Sequence, residues 1–128
     1  MSTNEEYIKY KIEKANEAIA VAKLLTLNKY FADALAKCYY AAFYAVSAAL
    51  INKELNPKTH SGAKSLFHKE FIITGIIDKK FALMYDILLA KRFEADYEIF
   101  AFVDAEEVPN YINQVEIFIE LIKKELKK

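Results

Sequence analysis

The chain has 128 residues, of which 55% are hydrophobic, and its 18 basic and 18 acidic side chains give a formal net charge of zero. Two glycines, two prolines and one cysteine are too few for a turn-rich β-sandwich, a disulfide scaffold or a thiolate metal cluster. The sequence pI of 6.7 excludes a globally basic nucleic-acid-binding domain, and the apolar content excludes a disordered chain. We therefore expect a single, mainly helical domain over residues 1–128.

The first two helices are predicted to occupy the chain up to the first proline. The first begins at a capping box that starts at Ser2 or Thr3, and it ends near Asn28. The second runs from Phe31 to Glu54 and stops before the proline, because proline disfavours a helical conformation in the residue before it. From residue 38 onward this helix is apolar on nearly every side. We expect it at the centre of the bundle or in a subunit interface.

The third and fourth helices both have recognisable end signals. The third is predicted over residues 59–75, with Thr59 as its N-cap and Gly75 as the residue that terminates it. The fourth is predicted over residues 78–100, with Asp78 as its N-cap.

The fifth helix follows Asp104, and two alternatives remain for its start. Either Asp104 is the N-cap and Glu107 closes a capping box, or Pro109 takes the first helical position. Apolar residues recur at helical spacing from there to the end of the chain. Together the five segments predict an all-α, up-and-down bundle of four to five helices.

No segment of the sequence is predicted to enter a membrane or to direct export. The longest nearly apolar run, residues 38–51, has 14 residues, fewer than the ~20 that span a bilayer. Residues 1–20 carry charges throughout and lack the apolar core of a signal peptide. We expect a cytoplasmic protein that does not contact a membrane.

The zero net charge conceals an asymmetry between the two halves. Residues 1–64 carry nine lysines and six acidic residues, a net charge of +3, whereas residues 65–128 carry nine basic and twelve acidic residues, a net charge of −3. Six of these acidic residues fall within residues 94–107, with no basic residue among them. This acidic cluster is either a solvated helix end and loop or a docking surface for a basic partner.

The sequence predicts no metal site and no cofactor. Neither His60 nor His68 has the glutamate three residues earlier that di-iron bundles use, and no glycine-rich phosphate loop is present. The single thiol, Cys38, lies in the apolar run, where a buried cysteine is unreactive.

A short polar segment at the start of the third helix is a candidate anion site. Thr59, His60 and Ser61 place two hydroxyl groups and an imidazole where free backbone N–H groups and the helix dipole favour an anion. The alternative is that Thr59 only caps the helix and that His60 is a surface residue.

The only arginine among the 18 basic residues is Arg92, and Asp96 follows it four residues later. On a helix the two side chains share a face. They form either an internal ion pair that locks the bundle or a site where the planar guanidinium holds a phosphate, a task that lysine performs less well.

A second polar stripe lies on the second helix. Asp33, Lys37, Tyr40 and Tyr44 recur at spacings of four, three and four, so they share one helix face. The tyrosines either line a cleft in which bases stack or belong to the rim of the core.

Three motifs, in this order along the chain, resemble those of HEPN (higher eukaryotes and prokaryotes nucleotide-binding) domains. They are AxxKxYYAxFxA over residues 34–45, THSG over residues 59–62 and RxxADY over residues 92–97. The resemblance extends over nearly the whole chain. It implies an α-helical bundle that forms a homodimer, binds nucleotides or RNA, and is paired with a minimal nucleotidyltransferase as a toxin–antitoxin system.

The resemblance also implies an activity. Active HEPN proteins are metal-independent endoribonucleases in which an arginine is followed by four to six residues and a histidine. Arg92 matches the arginine, but positions 97–99 hold no histidine and none follows later. Since metal-free cleavage needs a group that exchanges protons near neutral pH, the candidate catalytic residues are Arg92, Asp96 and His60.

The sequence thus predicts a nucleotide- or RNA-binding HEPN protein, with degenerate endoribonuclease activity as one form of that function. Lys37, Tyr40, Tyr44, Thr59 and Ser61 are its candidate binding residues. The alternative is a non-enzymatic helical dimer that acts as an interaction or structural module.

A further implication concerns a covalent modification. In some HEPN pairs the nucleotidyltransferase adenylylates a tyrosine near the arginine motif, and Tyr97 stands at the matching position here.

Overall fold

The computed structural model describes residues 3–96 and 103–128, except for the side chains of residues 95 and 96. Within these ranges the chain forms five α-helices and no strand, which confirms the predicted all-α bundle. The helices are α1 (Thr3–Leu27), α2 (Phe31–Asn52), α3 (His60–Phe67), α4 (Lys79–Asp96) and α5 (Glu107–Leu126), and a π-helical segment, His68–Ile72, extends α3. The predicted continuation of α4 to residue 100 lies outside the described residues.

The central element is α2, which packs against α1, α3, α4 and α5. Leu35, Val46 and Leu50 have no exposed surface, and more than half of the helix is buried. At 22 residues α2 is long and apolar enough to cross a membrane by length and composition alone. However, 67% of its most apolar stretch is buried inside the bundle. This burial confirms the prediction of a central helix.

Small residues let α1 and α2 approach each other closely. Ala15 and Ala22 of α1 and Ala41 and Ala45 of α2 have no exposed surface. Since an alanine side chain is one methyl group, the two helices pack without large interdigitating side chains between their backbones. This contact fixes the position of α2, on which the other helices rest.

The predicted end signals of α3 and α4 are present. The Thr59 side chain accepts a hydrogen bond of 2.9 Å from the backbone N–H of Gly62, as expected of an N-cap. Gly75 has φ of +79°, the left-handed conformation that favours glycine after a helix. The Asp78 side chain accepts a 2.9 Å hydrogen bond from the backbone N–H of Lys80.

Two helix boundaries differ from the prediction. α2 ends at Asn52 rather than Glu54, because Glu54 adopts φ of +62° and the backbone N–H of Leu55 bonds back to the Leu50 carbonyl. At α5 the placement of Pro109 in the first helical position is wrong, since the helix begins two residues earlier.

The other predicted start of α5, with Asp104 as the N-cap, is confirmed in part. The Asp104 side chain accepts a 2.9 Å hydrogen bond from the backbone N–H of Glu106. The backbone carbonyl of Asp104 accepts a 3.0 Å hydrogen bond from the backbone N–H of Glu107. Asp104 therefore stabilises the turn that leads into the helix, and the N-cap itself is Glu106.

Enlarging a side chain between α1 and α2 tests this packing. We expect Ala45→Leu to lower the free energy of unfolding by about 1–3 kcal/mol, because the site has no space for three more carbon atoms. Ala20→Leu, at an exposed position of α1, is the control. Urea denaturation measures both, and equal stability of the two variants would contradict close packing at Ala45.

Candidate functional site

Arg92 lies near the C-terminal end of α4, with its guanidinium against two tyrosine rings of α2. Its Cζ atom is 5.5 Å from the ring centroid of Tyr39 and 5.9 Å from that of Tyr40. These distances are in the range of cation–π contacts. A planar guanidinium suits this stacking better than an ammonium group, which explains why the only arginine of the chain stands here.

His60 reaches the same tyrosine from the start of α3. Its Nδ1 atom is 2.6 Å from the Tyr39 hydroxyl, and its ring centroid is 4.6 Å from that of Phe43. The Thr59 cap begins the helix at the residue that brings the imidazole to this place. Arg92 and His60, 32 positions apart in the sequence, therefore contact the same tyrosine side chain. We call Arg92, His60, Tyr39 and Tyr40 the Arg92 cluster.

A second buried hydroxyl group lies behind this cluster. The Tyr85 hydroxyl is 3.5 Å from that of Tyr39, a long separation for two hydroxyl groups. Burial raises the pKa of Tyr39 and, more strongly, that of Tyr85. Both phenols are therefore protonated at neutral pH. Tyr85, Tyr39 and His60 form a line of polar groups from the core toward the surface.

The environment of His60 favours the uncharged imidazole. Burial, and then the positive charge of Arg92, lower its pKa below the usual 6.5. The imidazole is therefore neutral at pH 7. When the Tyr39 hydroxyl donates to Nδ1, the ring proton resides on Nε2; when Nδ1–H donates to Tyr39, Nε2 is free to accept a proton.

Three of the four residues of the predicted α2 stripe line one cleft, and Asp33 is not among its lining residues. Lys37, Tyr40 and Tyr44 lie along a cleft of about 360 Å³ between α1 and α2. The Lys37 ammonium is 5.8 Å from the ring centroid of Tyr40. Since Tyr40 also contacts Arg92, this cleft adjoins the Arg92 cluster.

Of the other predicted site residues, the structure describes the side chains of Thr59 and Ser61 but not those of Asp96 and Tyr97. The Thr59 and Ser61 hydroxyls are 3.4 Å apart beside His60, both are exposed, and the Thr59 oxygen already accepts from the Gly62 N–H. The Asp96 side chain and all of Tyr97 lie outside the described residues, so the predicted Arg92–Asp96 pair remains a prediction.

Sequence reasoning did not identify Tyr39, Phe43 or Tyr85 as site residues. One signal could have found Tyr85: it stands seven residues before Arg92, so both lie on one face of α4. No local pattern links Tyr39 to His60, because the contact joins α2 to α3 across 21 positions.

The sequence predicts an unreactive Cys38 and no metal site. Burial raises the pKa of the Cys38 thiol to about 12, so the group is an unreactive thiol at neutral pH. Among the residues that the structure describes, no group of three or more His, Cys, Asp or Glu side chains is arranged to hold a metal ion.

The electrostatic coupling between Arg92 and His60 is directly testable. We expect Arg92→Gln to raise the pKa of His60, because the variant removes a nearby positive charge, whereas Arg92→Lys keeps it lower. NMR titration of the imidazole signals measures the pKa, and His68 is the internal control. An unchanged pKa of His60 in Arg92→Gln would contradict the coupling.

Comparison with known proteins agrees with the helical architecture. The model of the HEPN domain family matches residues 8–126. A UPF0332 protein of Thermotoga maritima is 35% identical over 124 residues, which cover 97% of this chain and 94% of the relative. A protein of Methanocaldococcus jannaschii named a "putative toxin" is 37% identical over 123 residues, covering 96% of this chain and 91% of the relative. A second protein of that organism with the same description is 34% identical over 115 residues, covering 90% and 78%. The chain belongs to the HEPN domain family.

Proposed function

We propose that this chain is a toxin-type HEPN protein that binds RNA at the Arg92 cluster and cleaves it without a metal ion. The proposal rests on one observation. The neutral His60 imidazole lies 2.6 Å from the Tyr39 hydroxyl, and Arg92 contacts the ring of the same tyrosine. The names of the two relatives from Methanocaldococcus jannaschii support a toxin role.

Arg92 and His60 have complementary tasks in such a reaction. The Arg92 guanidinium binds a phosphate through two N–H groups and stabilises the negative charge that develops on it. His60 Nε2 accepts the proton of the neighbouring ribose 2′-hydroxyl. The 2′-oxygen then bonds to phosphorus, the bond to the 5′-oxygen breaks, and that oxygen takes a proton from water. The hydroxide that remains takes the proton held by His60, which returns the imidazole to its neutral form. The products are a 2′,3′-cyclic phosphate and a 5′-hydroxyl.

Tyr39 selects the form of His60 that performs this step. His60 accepts a proton at Nε2 only when its own proton is on Nδ1 and donated to the Tyr39 oxygen. In that form the Tyr39 hydroxyl hydrogen is free to turn toward the Tyr85 oxygen, 3.5 Å away. Tyr39 is therefore a positioning residue, analogous to the groups that fix the tautomer of other catalytic histidines.

The neighbouring residues supply binding. Bases stack on Tyr40 and Tyr44, and Lys37 lies beside a phosphate at the outer end of the cleft. The exposed hydroxyls of Thr59 and Ser61, next to His60, donate to ribose or phosphate oxygens. In this account His60 replaces the histidine that the family places after the arginine.

Further parts of the proposal rest on family membership. We propose a cytoplasmic homodimer that is paired with a minimal nucleotidyltransferase, with Tyr97 as the residue that this partner modifies. Asp96 remains a candidate to orient Arg92. A non-enzymatic interaction module is the outcome if RNA neither binds nor reacts.

Cleavage of RNA in the presence of EDTA tests the proposed function. The wild-type protein is expected to convert single-stranded RNA to products with 2′,3′-cyclic phosphate ends. His60→Ala should lose about 10²–10⁴-fold in rate, because it removes the proton acceptor. Arg92→Ala should lose both cleavage and phosphate binding. Gel analysis of end-labelled RNA measures the rates.

The second histidine offers a matched control. His68 contacts Asp86 at 3.6 Å and is not a member of the Arg92 cluster, so His68→Ala should cleave like the wild type. Circular dichroism confirms that each variant is folded. If the wild type neither cleaves nor binds RNA at low salt, or if His60→Ala cleaves normally, the proposed function is wrong.

A further inference from the structure

The seam between α1 and α2 forms a groove that extends well beyond the Arg92 cluster. The cleft beside Tyr40 and Tyr44 is adjacent to a second cleft of about 500 Å³, which Tyr7, Tyr10 and Lys11 of α1 line. The Lys11 ammonium, from the second cleft, lies 5.5 Å from the ring centroid of Tyr44 in the first. On α1 the lining positions 7, 11, 14, 18 and 21 recur at spacings of four and three, so they share one helix face. Both clefts therefore open on the same side of the molecule. We call them together the α1–α2 groove.

Tyrosines and lysines alternate along this groove. In each of three pairs a lysine ammonium lies over a tyrosine ring, and each pair lines one or both clefts. The pairs, with the distance from Nζ to the ring centroid, are Lys37–Tyr40 (5.8 Å), Lys11–Tyr44 (5.5 Å) and Lys14–Tyr10 (5.8 Å). This interleaving of aromatic rings and cations is the pattern by which proteins hold a single nucleic-acid strand.

The aromatic rings at the far end of the groove are accessible. Tyr7 is 56% exposed and Tyr10 is 51% exposed. Asn4 and Asn56 lie beside them and supply polar groups. A flat ligand can therefore stack on these rings and find hydrogen-bond partners at its edge.

The charge of the groove is positive but small. Lys11, Lys14 and Lys37 line it, and so do Glu17 and Glu54. The Glu17 carboxylate is 3.7 Å from the Lys14 ammonium. With so small an excess of positive charge, stacking on the rings has to supply most of the affinity. This favours a ligand with exposed bases over one that offers phosphates alone.

The groove adjoins the Arg92 cluster. The His60 ring is 4.6 Å from Phe43, and the Phe43 ring is 6.1 Å from Tyr44, which lines the first cleft. Tyr40 lines the same cleft and contacts Arg92. A strand whose phosphate lies at Arg92 is thus led directly into the groove.

We propose that the α1–α2 groove binds the RNA on one side of the cleavage position as an extended single strand. Its bases stack on Tyr44, Tyr10 and Tyr7, and its phosphates lie beside Lys11 and Lys14. This inference rests on the proposed function and extends its binding site over several nucleotides on one side of the cleavage position. From residue 37 to residue 51 on α2 the groove runs for about 21 Å. A duplex does not fit the same role, because its bases are stacked on one another and offer no free faces.

Binding of labelled oligonucleotides of two lengths tests this inference. Fluorescence anisotropy compares a trinucleotide with a ten-nucleotide single strand, both with 2′-O-methyl riboses so that neither is cleaved. The wild type should bind the longer strand more tightly. The double variant Tyr7→Ala, Tyr10→Ala should weaken binding of the longer strand about tenfold per ring and leave the trinucleotide unaffected. Tyr30→Ala, an exposed tyrosine that lines neither cleft, is the control.

The lysines are tested by salt dependence. Lys11→Gln with Lys14→Gln should reduce the slope of log affinity against log salt by about 0.7 per lysine for the long strand. Lys69→Gln, at an exposed lysine that lines neither cleft, is the matched control.

The outcomes separate the two proposals. If both lengths bind equally to the wild type, or if the double tyrosine variant binds the long strand normally, the groove proposal is wrong while the Arg92 site stands. Tighter binding of a duplex than of the single strand would also overturn it. If neither strand binds and Arg92→Ala changes nothing, the proposed function fails, and the groove proposal with it.

Discussion

A buried phenol on the central helix joins the parts of this site. Tyr39 has no exposed surface, and a buried hydroxyl without a hydrogen-bond partner costs about 1–3 kcal/mol. Its hydroxyl meets His60 of α3 at 2.6 Å and Tyr85 of α4 at 3.5 Å. Satisfying this one group therefore places the start of α3 and one face of α4 against α2. The same side chain presents its ring to Arg92.

The helical scaffold gives this arrangement its rigidity. α2 is buried against four other helices, and alanines at its contact with α1 hold the two backbones close together. Stacking a guanidinium on tyrosine rings desolvates one of its faces, which an arginine tolerates better than a strongly hydrated lysine. A chain that uses lysine at the 17 other basic positions thus keeps its arginine where that planar geometry matters.

Much of the fold was predictable because its signals are local. The Thr59 cap, the left-handed Gly75 and the apolar surroundings of α2 follow from propensity and periodicity, and the structure confirms them. The single arginine marked Arg92 as unusual before its contacts were known. The link between Arg92 and His60 was not predictable, since it passes through Tyr39 and depends on how three helices pack. The left-handed turn at Glu54, which ends α2 early, left no propensity signal either.

We propose that RNA occupies the Arg92 cluster, with a phosphate beside the His60 imidazole. NMR titration of His60 in the presence of a single-stranded RNA with 2′-O-methyl riboses detects such a phosphate. We expect the RNA to raise the pKa of His60, because a phosphate favours the charged imidazole, and the NMR signals of His68 are the internal reference. RNA that binds without changing the pKa of His60 would show that no phosphate lies beside the imidazole.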